Sequence, residues 1–144
     1  MLRKLPVFGE FGRGDYRIQP VHVEDLAELA VKAATERDNC TLDAIGPETF
    51  TYEQLIRLIH TAVGSGASLL HLPPTIALAI GQCLGWFMGD VIITREEIRG
   101  LMSDLLISDQ AHTCPARFSE WLSQNAGGLG RHYTSELKRH FQEK

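Results

Sequence analysis

At 144 residues, 44% of them hydrophobic, the chain has enough apolar material for one core, and residues 1–144 are expected to form a single lobe. A net charge of −4 supplies no basic field, which excludes nucleic acid as an expected partner. Cys40, Cys83 and Cys114 are odd in number and far apart, fitting neither a disulfide framework nor a zinc pattern; the start of the chain carries no signal-peptide h-region, so a reducing, cytoplasmic setting is the expectation.

In chain order, residues 5–8 read as a strand and residues 16–23 as a second, rich in strand-favouring Tyr16, Ile18, Val21 and Val23. Between them, Gly9-Glu10-Phe11-Gly12-Arg13-Gly14 has glycines spaced roughly as in a dinucleotide-binding turn. The stretch that follows reads as strand with Pro20 inside it, so no helix receives a phosphate, and the run is expected to be a hairpin or loop. Glu24 and Asp25 place two acids where a helix dipole favours them, and Leu26, Leu29, Ala30, Ala33 and Ala34 follow helical spacing, predicting a helix that packs one face. A strand over residues 41–45 and the pair Gly46-Pro47 come next. Thr51 and Gln54 form a capping box opening a helix with Tyr52, Leu55, Ile56, Ile59, Ala62 and Val63 on one face, ended by Gly64 and Gly66. Residues 67–72 read as a short strand stopped by Pro73-Pro74, with Pro74 suited to the first turn of the next helix.

Residues 76–88 are apolar almost all round, with Gln82 the exception. Spanning a bilayer takes about 20 such residues, so the expectation is a core helix or one packing on a partner surface, with interfacial membrane contact as the alternative. Thr94 and Glu97 form a second capping box before Ile98, Leu101, Met102 and Leu105, and Asp104 and Asp109 read as solvated positions. After Cys114-Pro115 a helix carries Phe118, Trp121 and Leu122, with Arg117 and Glu120 as surface charge; Gly127, Gly128 and Gly130 mark a short linker, and residues 133–141 read as a closing helix. The sum is an α/β chain with a few short strands and about five or six helices.

Pro20-Val21-His22-Val23-Glu24-Asp25-Leu26-Ala27, followed by the strand at 41–45, Gly46-Pro47 and Phe50-Thr51-Tyr52-Glu53-Gln54-Leu55, resembles the second half of the extended and atypical short-chain dehydrogenases/reductases, the NAD(P)-dependent epimerase/dehydratase type of Rossmann enzyme. Within them it is most similar to the atypical branch that includes an accessory subunit of respiratory complex I. The resemblance covers residues 5–72. It implies a helix-rich C-terminal substrate lobe that lacks the dinucleotide-binding half, with NAD(P) held by a missing N-terminal Rossmann portion of the longer parent and no cofactor in this chain. Apolar surface left bare would then drive self-association to a homo-oligomer.

The family's catalytic Tyr with a Lys four residues later is absent, since Tyr16, Tyr52 and Tyr133 are followed at that distance by Pro20, Ile56 and Leu137. No catalytic residue is therefore assigned. In sugar-nucleotide members of the extended branch an arginine on the strand before the helix binds substrate phosphate; Ile18 stands at the matching place and Arg17 lies one residue earlier, on the other face of a regular strand. Arg17, Gln19, His22 and His71 are the candidate substrate-binding residues: Gln19 and His22 as polar groups in an apolar strand, and His71 because its strand borders the family's cleft. For His22 the first expectation is nonetheless structural, donating to backbone or a nearby acid, with titration near neutral pH as the alternative. His60, His112, His132 and His140 lack metal-ligand spacing and read as surface residues. Two functional expectations follow from the resemblance: the substrate lobe of an NAD(P)-dependent epimerase/dehydratase or reductase, not catalytic by itself, or a non-catalytic binding and assembly module.

Overall fold

Capping chemistry sets the helix boundaries in the computed structural model, which describes residues 2–36, 38–132 and 135. Nine elements follow in order: β1 (Val7–Phe11), β2 (Arg17–Ile18), α1 (Val23–Thr35), β3 (Phe50–Thr51), α2 (Tyr52–Ala62), β4 (Ser68–Leu72), α3 (Pro74–Met88), α4 (Arg95–Met102) and α5 (Phe118–Asn125). Among the described residues the fold is mixed α/β, with five helices and two small two-stranded sheets. Both capping boxes form: Thr51 and Gln54 exchange bonds of 2.9 and 3.2 Å at the start of α2, and Thr94 and Glu97 exchange bonds of 2.7 and 3.2 Å at the start of α4. Each pair satisfies two backbone N–H groups that a helix start leaves orphaned. Pro74 occupies the first turn of α3 as expected, and Gly89 ends that helix with φ of 61°.

The strands pair differently from a hairpin. β1 runs parallel to β4, with Val7 opposite Ser68 and Glu10 opposite His71, whereas β2 runs antiparallel to β3. The glycine run is therefore part strand and part turn: Gly9 lies within β1, while Gly12 and Gly14, both at positive φ, carry the chain across to β2. The strand read over residues 16–23 shrinks to Arg17–Ile18, because Pro20 has no N–H for a ladder and α1 already begins at Val23. Ile18 also bridges to Leu106, and the Gln19 N–H donates to the Leu106 carbonyl at 3.0 Å.

Three further expectations are corrected. Residues 41–45 form no strand. Ile45 instead exchanges bonds with residue 113, its N–H donating to Thr113 Oγ1 and its carbonyl accepting from the N–H groups of Thr113 and Cys114, each at 3.0 Å. Helix α1 forms but has no buried residue; Val23, Leu26 and Val31 are exposed and Leu29 and Ala33 only half-buried, so its apolar face is left largely uncovered among the described residues. Helix α3 is not a core helix. Only Ala77, Gly81 and Gly85 are buried, while Ile76, Trp86 and Phe87 face outward, the last two 80% and 79% exposed. Its small residues let the following segment press against the helix, and a Cβ at Gly85 would meet the Asp90 carbonyl oxygen at 2.5 Å. Among the described residues no helix is long and apolar enough to cross a membrane. The closing helix read over residues 133–141 lies outside the described residues.

The core gathers Tyr16, Ile45, Ile56, Val63, Ala67, Ile98, Cys114 and Leu122. Around it, side chains tie distant segments together. Glu48 accepts from the Ser119 N–H at 2.9 Å and hydroxyl at 2.6 Å at the start of α5, and Asp25 accepts from the Ala116 N–H at 2.8 Å. Gly46 lies so close to the Pro20 carbonyl that any Cβ would collide with it, which seats the Gly46-Pro47 pair against the turn into α1.

Candidate functional site

The four residues singled out by sequence separate into two groups. Arg17, Gln19 and His22 lie on β2 and the turn into α1, and each is engaged in holding that turn. The Arg17 N–H donates to Asp104 Oδ1 at 2.6 Å, and its guanidinium lies 3.3 Å from Asp104 Oδ2. Asp104 is thus solvated, as expected, and is in addition the partner of a surface ion pair. It sits at φ 52°, a left-handed conformation that aspartate tolerates. The Arg17 backbone hydrogen bond, followed by its side chain, holds the Asp104 carboxyl below the usual carboxylate range. Gln19 bridges two segments, its amide donating to the Gly46 carbonyl at 3.0 Å and its oxygen accepting from the Ser108 N–H at 3.3 Å. His22 caps α1 by accepting from the Glu24 N–H at Nδ1, at 3.4 Å, where the sequence suggested a donor. Its ring also borders a cavity of about 310 Å³ between Pro20, Val21, Ala116, Phe118 and Trp121, with the Trp121 ring centroid 6.2 Å away.

His71 belongs to a separate cluster. β4 carries it opposite Glu10 of β1, and its Nε2 lies 3.3 Å from Glu10 Oε2 and 3.9 Å from Glu53 Oε2. The Glu10 side chain is completely buried while that of His71 is 42% exposed. Neither Glu10 oxygen, nor the buried Tyr16 hydroxyl, has a hydrogen-bond partner among the described residues. Tyr52 stacks on Tyr16 with ring centroids 5.0 Å apart and on Phe11 at 5.8 Å, closing the compartment from the α2 side. Burial is the main force raising the Glu10 carboxyl above its ordinary 4.5; His71 and Arg57 oppose it and Glu53 adds to it. Burial, followed by the Glu10 charge, pushes the Tyr52 phenol up to about 12. Tyr16 moves in the same direction, again chiefly through burial.

Glu10 escaped the sequence reading because its position fell in a glycine run taken as turn. The available signal was a lone acid at an alternating position of the apolar run Val7–Phe11, which a buried strand has to neutralise or pair. His60 differs as well: its Nε2 lies 2.8 Å from the Ala67 carbonyl, half-buried between the end of α2 and the approach to β4, whereas His112 and His132 are exposed as expected. His140 lies outside the described residues. On the opposite face of the β1–β4 pair, an apolar cavity of about 510 Å³ opens between Phe11, Leu72, Ile80, Leu84 and Ile93, with Tyr52 on its wall.

Chemically, the cluster can hold a proton on Glu10, with the half-exposed His71 imidazole standing on its solvent side. Among the described residues no group of three His, Cys, Asp or Glu side chains could hold a metal ion. The glycine run does not fit a dinucleotide either, since the turn at Gly12 and Gly14 leads into β2 and presents no helix N-terminus to a pyrophosphate. A scan against protein-family models finds no match, and a search of curated proteins finds none.

Proposed function

We propose that the chain is the C-terminal substrate-binding lobe of an NAD(P)-dependent epimerase/dehydratase or reductase of the extended or atypical short-chain type. It is not catalytic by itself, and works in the cytoplasm with a nucleotide-binding half that presents NAD(P) and supplies the acid/base pair. The observation that carries this reading is the largely uncovered apolar side of the β2–α1 unit. A helix with an apolar stripe at i, i+3, i+4 ordinarily buries it, yet α1 buries no residue, and the neighbouring residues 41–45 belong to no strand ladder. In a doubly wound fold a strand followed by such a helix packs on a parallel sheet. Segments that lack a sheet to join are what a lobe separated from its Rossmann half would present. Gln19 and Gly46 hold the two segments together, so they would meet such a sheet as one surface.

A second reading, the non-catalytic binding and assembly module of the atypical branch, is favoured by Arg17. Its guanidinium is committed to Asp104, which leaves the phosphate-binding role of the extended enzymes without its arginine. Titration with NADH and NADPH, followed by cofactor fluorescence, tests both readings. The chain as given is expected to give no saturating signal, and the product of its reading frame extended upstream is expected to bind. Saturable binding by the chain alone, or none by the extended product, overturns the lobe reading. The upstream sequence separates the two classes: a Gly-rich βα unit with a Tyr-x-x-x-Lys pair favours the enzyme, and the same unit without that pair favours the assembly module.

A further inference from the structure

We propose that Glu10 is a proton-operated latch: protonated, it lets the turn at residues 12–16 close over the β1–β4 pair, and on losing its proton it forces that turn open toward His71 and solvent. The geometry is a lid on a carboxyl. Gly14 lies directly against the carboxyl, since a Cβ there would be 3.3 Å from Glu10 Oε2, and Tyr16 covers the compartment from within the core. Two backbone bonds fasten the lid to the N-terminus of α2, Glu53 N–H to the Gly14 carbonyl at 3.0 Å and Tyr52 N–H to the Tyr16 carbonyl at 2.9 Å.

The charges facing Glu10 come from every element around it. His71 stands on β4, Glu53, Arg57 and Tyr52 on α2, and Tyr16 in the turn itself, while the charge of the exposed Asp15 acts on Tyr16. Arg57 is drawn to Glu53, lying 2.8 Å from its Oε1, so its charge is largely spent there. An ionised Glu10 would add a second carboxylate to the Glu53 side of the compartment, out of water and without a hydrogen bond. Neutral Glu10 avoids this, and His71, half in solvent and 3.3 Å away, marks the side on which the carboxylate can emerge.

The sign follows from linkage. A carboxyl raised above its ordinary 4.5 binds its proton more tightly in the closed state, so closure is favoured at low pH and weakens as pH climbs from 4.5 through the raised value, by at most about tenfold per pH unit for one proton. Amide hydrogen exchange on the full chain, corrected for the intrinsic pH dependence, measures this locally. Protection of the Tyr52 and Glu53 amides is expected to fall across that window in the wild type and to stay flat in Glu10→Gln, while the Ala126 amide, whose N–H donates to the Leu122 carbonyl at 2.9 Å in α5, responds alike in both. His71→Gln removes the group that opposes the raised value and is expected to move the window to higher pH. Identical profiles for wild type and Glu10→Gln overturn the proposal. Should that variant fail to fold, the carboxyl carbon-13 signal of Glu10 in the wild type decides instead: an inflection at or below 4.5 overturns the latch, and one above it supports the latch.

Discussion

Glu48 does at one residue what the capping boxes do at helix starts. It lies between Gly46-Pro47 and β3, yet its carboxylate takes both the N–H and the hydroxyl of Ser119 and pairs with Arg117 at 2.9 Å, so it caps α5 from 71 residues away. Burial works against its charge, but the Ser119 bonds and Arg117 outweigh burial and hold the carboxyl below its ordinary 4.5. Replacing Glu48 with Ala leaves the Ser119 donors unpaired and is expected to cost about 1–2 kcal/mol in urea denaturation at neutral pH. The pH dependence carries its own sign: the contribution of Glu48 is complete above 4.5 and is lost as pH falls through the depressed value, so wild type and Glu48→Ala are expected to converge in acid. This is opposite in direction to Glu10, and the two carboxyls can be told apart by that slope alone.

At the scale of elements, local chemistry and tertiary demand separate cleanly. α2 and α4 begin where their capping boxes put them, because a Thr hydroxyl and a side chain three residues on need nothing from the rest of the fold. Thr94→Ala is expected to destabilise the chain by about 1 kcal/mol by chemical denaturation, with α4 fraying at its first turn in hydrogen exchange; an unchanged midpoint would deny the box an energetic role. Strands behave otherwise. Residues 41–45 have strand-like composition, but a strand exists only through a neighbour's ladder, and Thr113 and Cys114 reach this segment only at Ile45 and the Asp43 carbonyl. The β1–β4 pair succeeds because its ten residues lie in register, with Gly12 N–H extending the pairing to the Leu72 carbonyl at 2.9 Å.

For the molecule as a whole, the dominant quantity is apolar surface that the chain does not bury. Trp86 and Phe87 sit edge to face, 5.1 Å between centroids, and almost wholly in solvent at the end of α3. Val23, Leu26 and Val31 lie exposed on α1. Exposed aromatic and aliphatic groups of this kind gain roughly 25 cal/mol for each Å² removed from water, a standing drive to associate. The isolated chain is therefore expected to run as a dimer or larger in light scattering at high concentration, and the pair Trp86→Ser with Phe87→Ser is expected to reduce that mass with a small change in stability, since neither ring packs in the core. A strictly monomeric wild-type mass would count against the expectation.

Sequence by itself determined the five described helices, the capping boxes of α2 and α4, and the parting of β4 from α3 at Pro73-Pro74, because propensity, capping and proline geometry act within a few residues. It did not determine pairing or burial. Which strand β1 joins, whether the faces of α1 and α3 are covered, and that Glu10 rather than Arg17 stands in a stressed electrostatic environment depend on groups brought together from distant parts of the chain. The cost of ionising a carboxyl is set by the water and the charges around it, and those exist only once β1, β4, α2 and the turn at residues 12–16 have closed on one another.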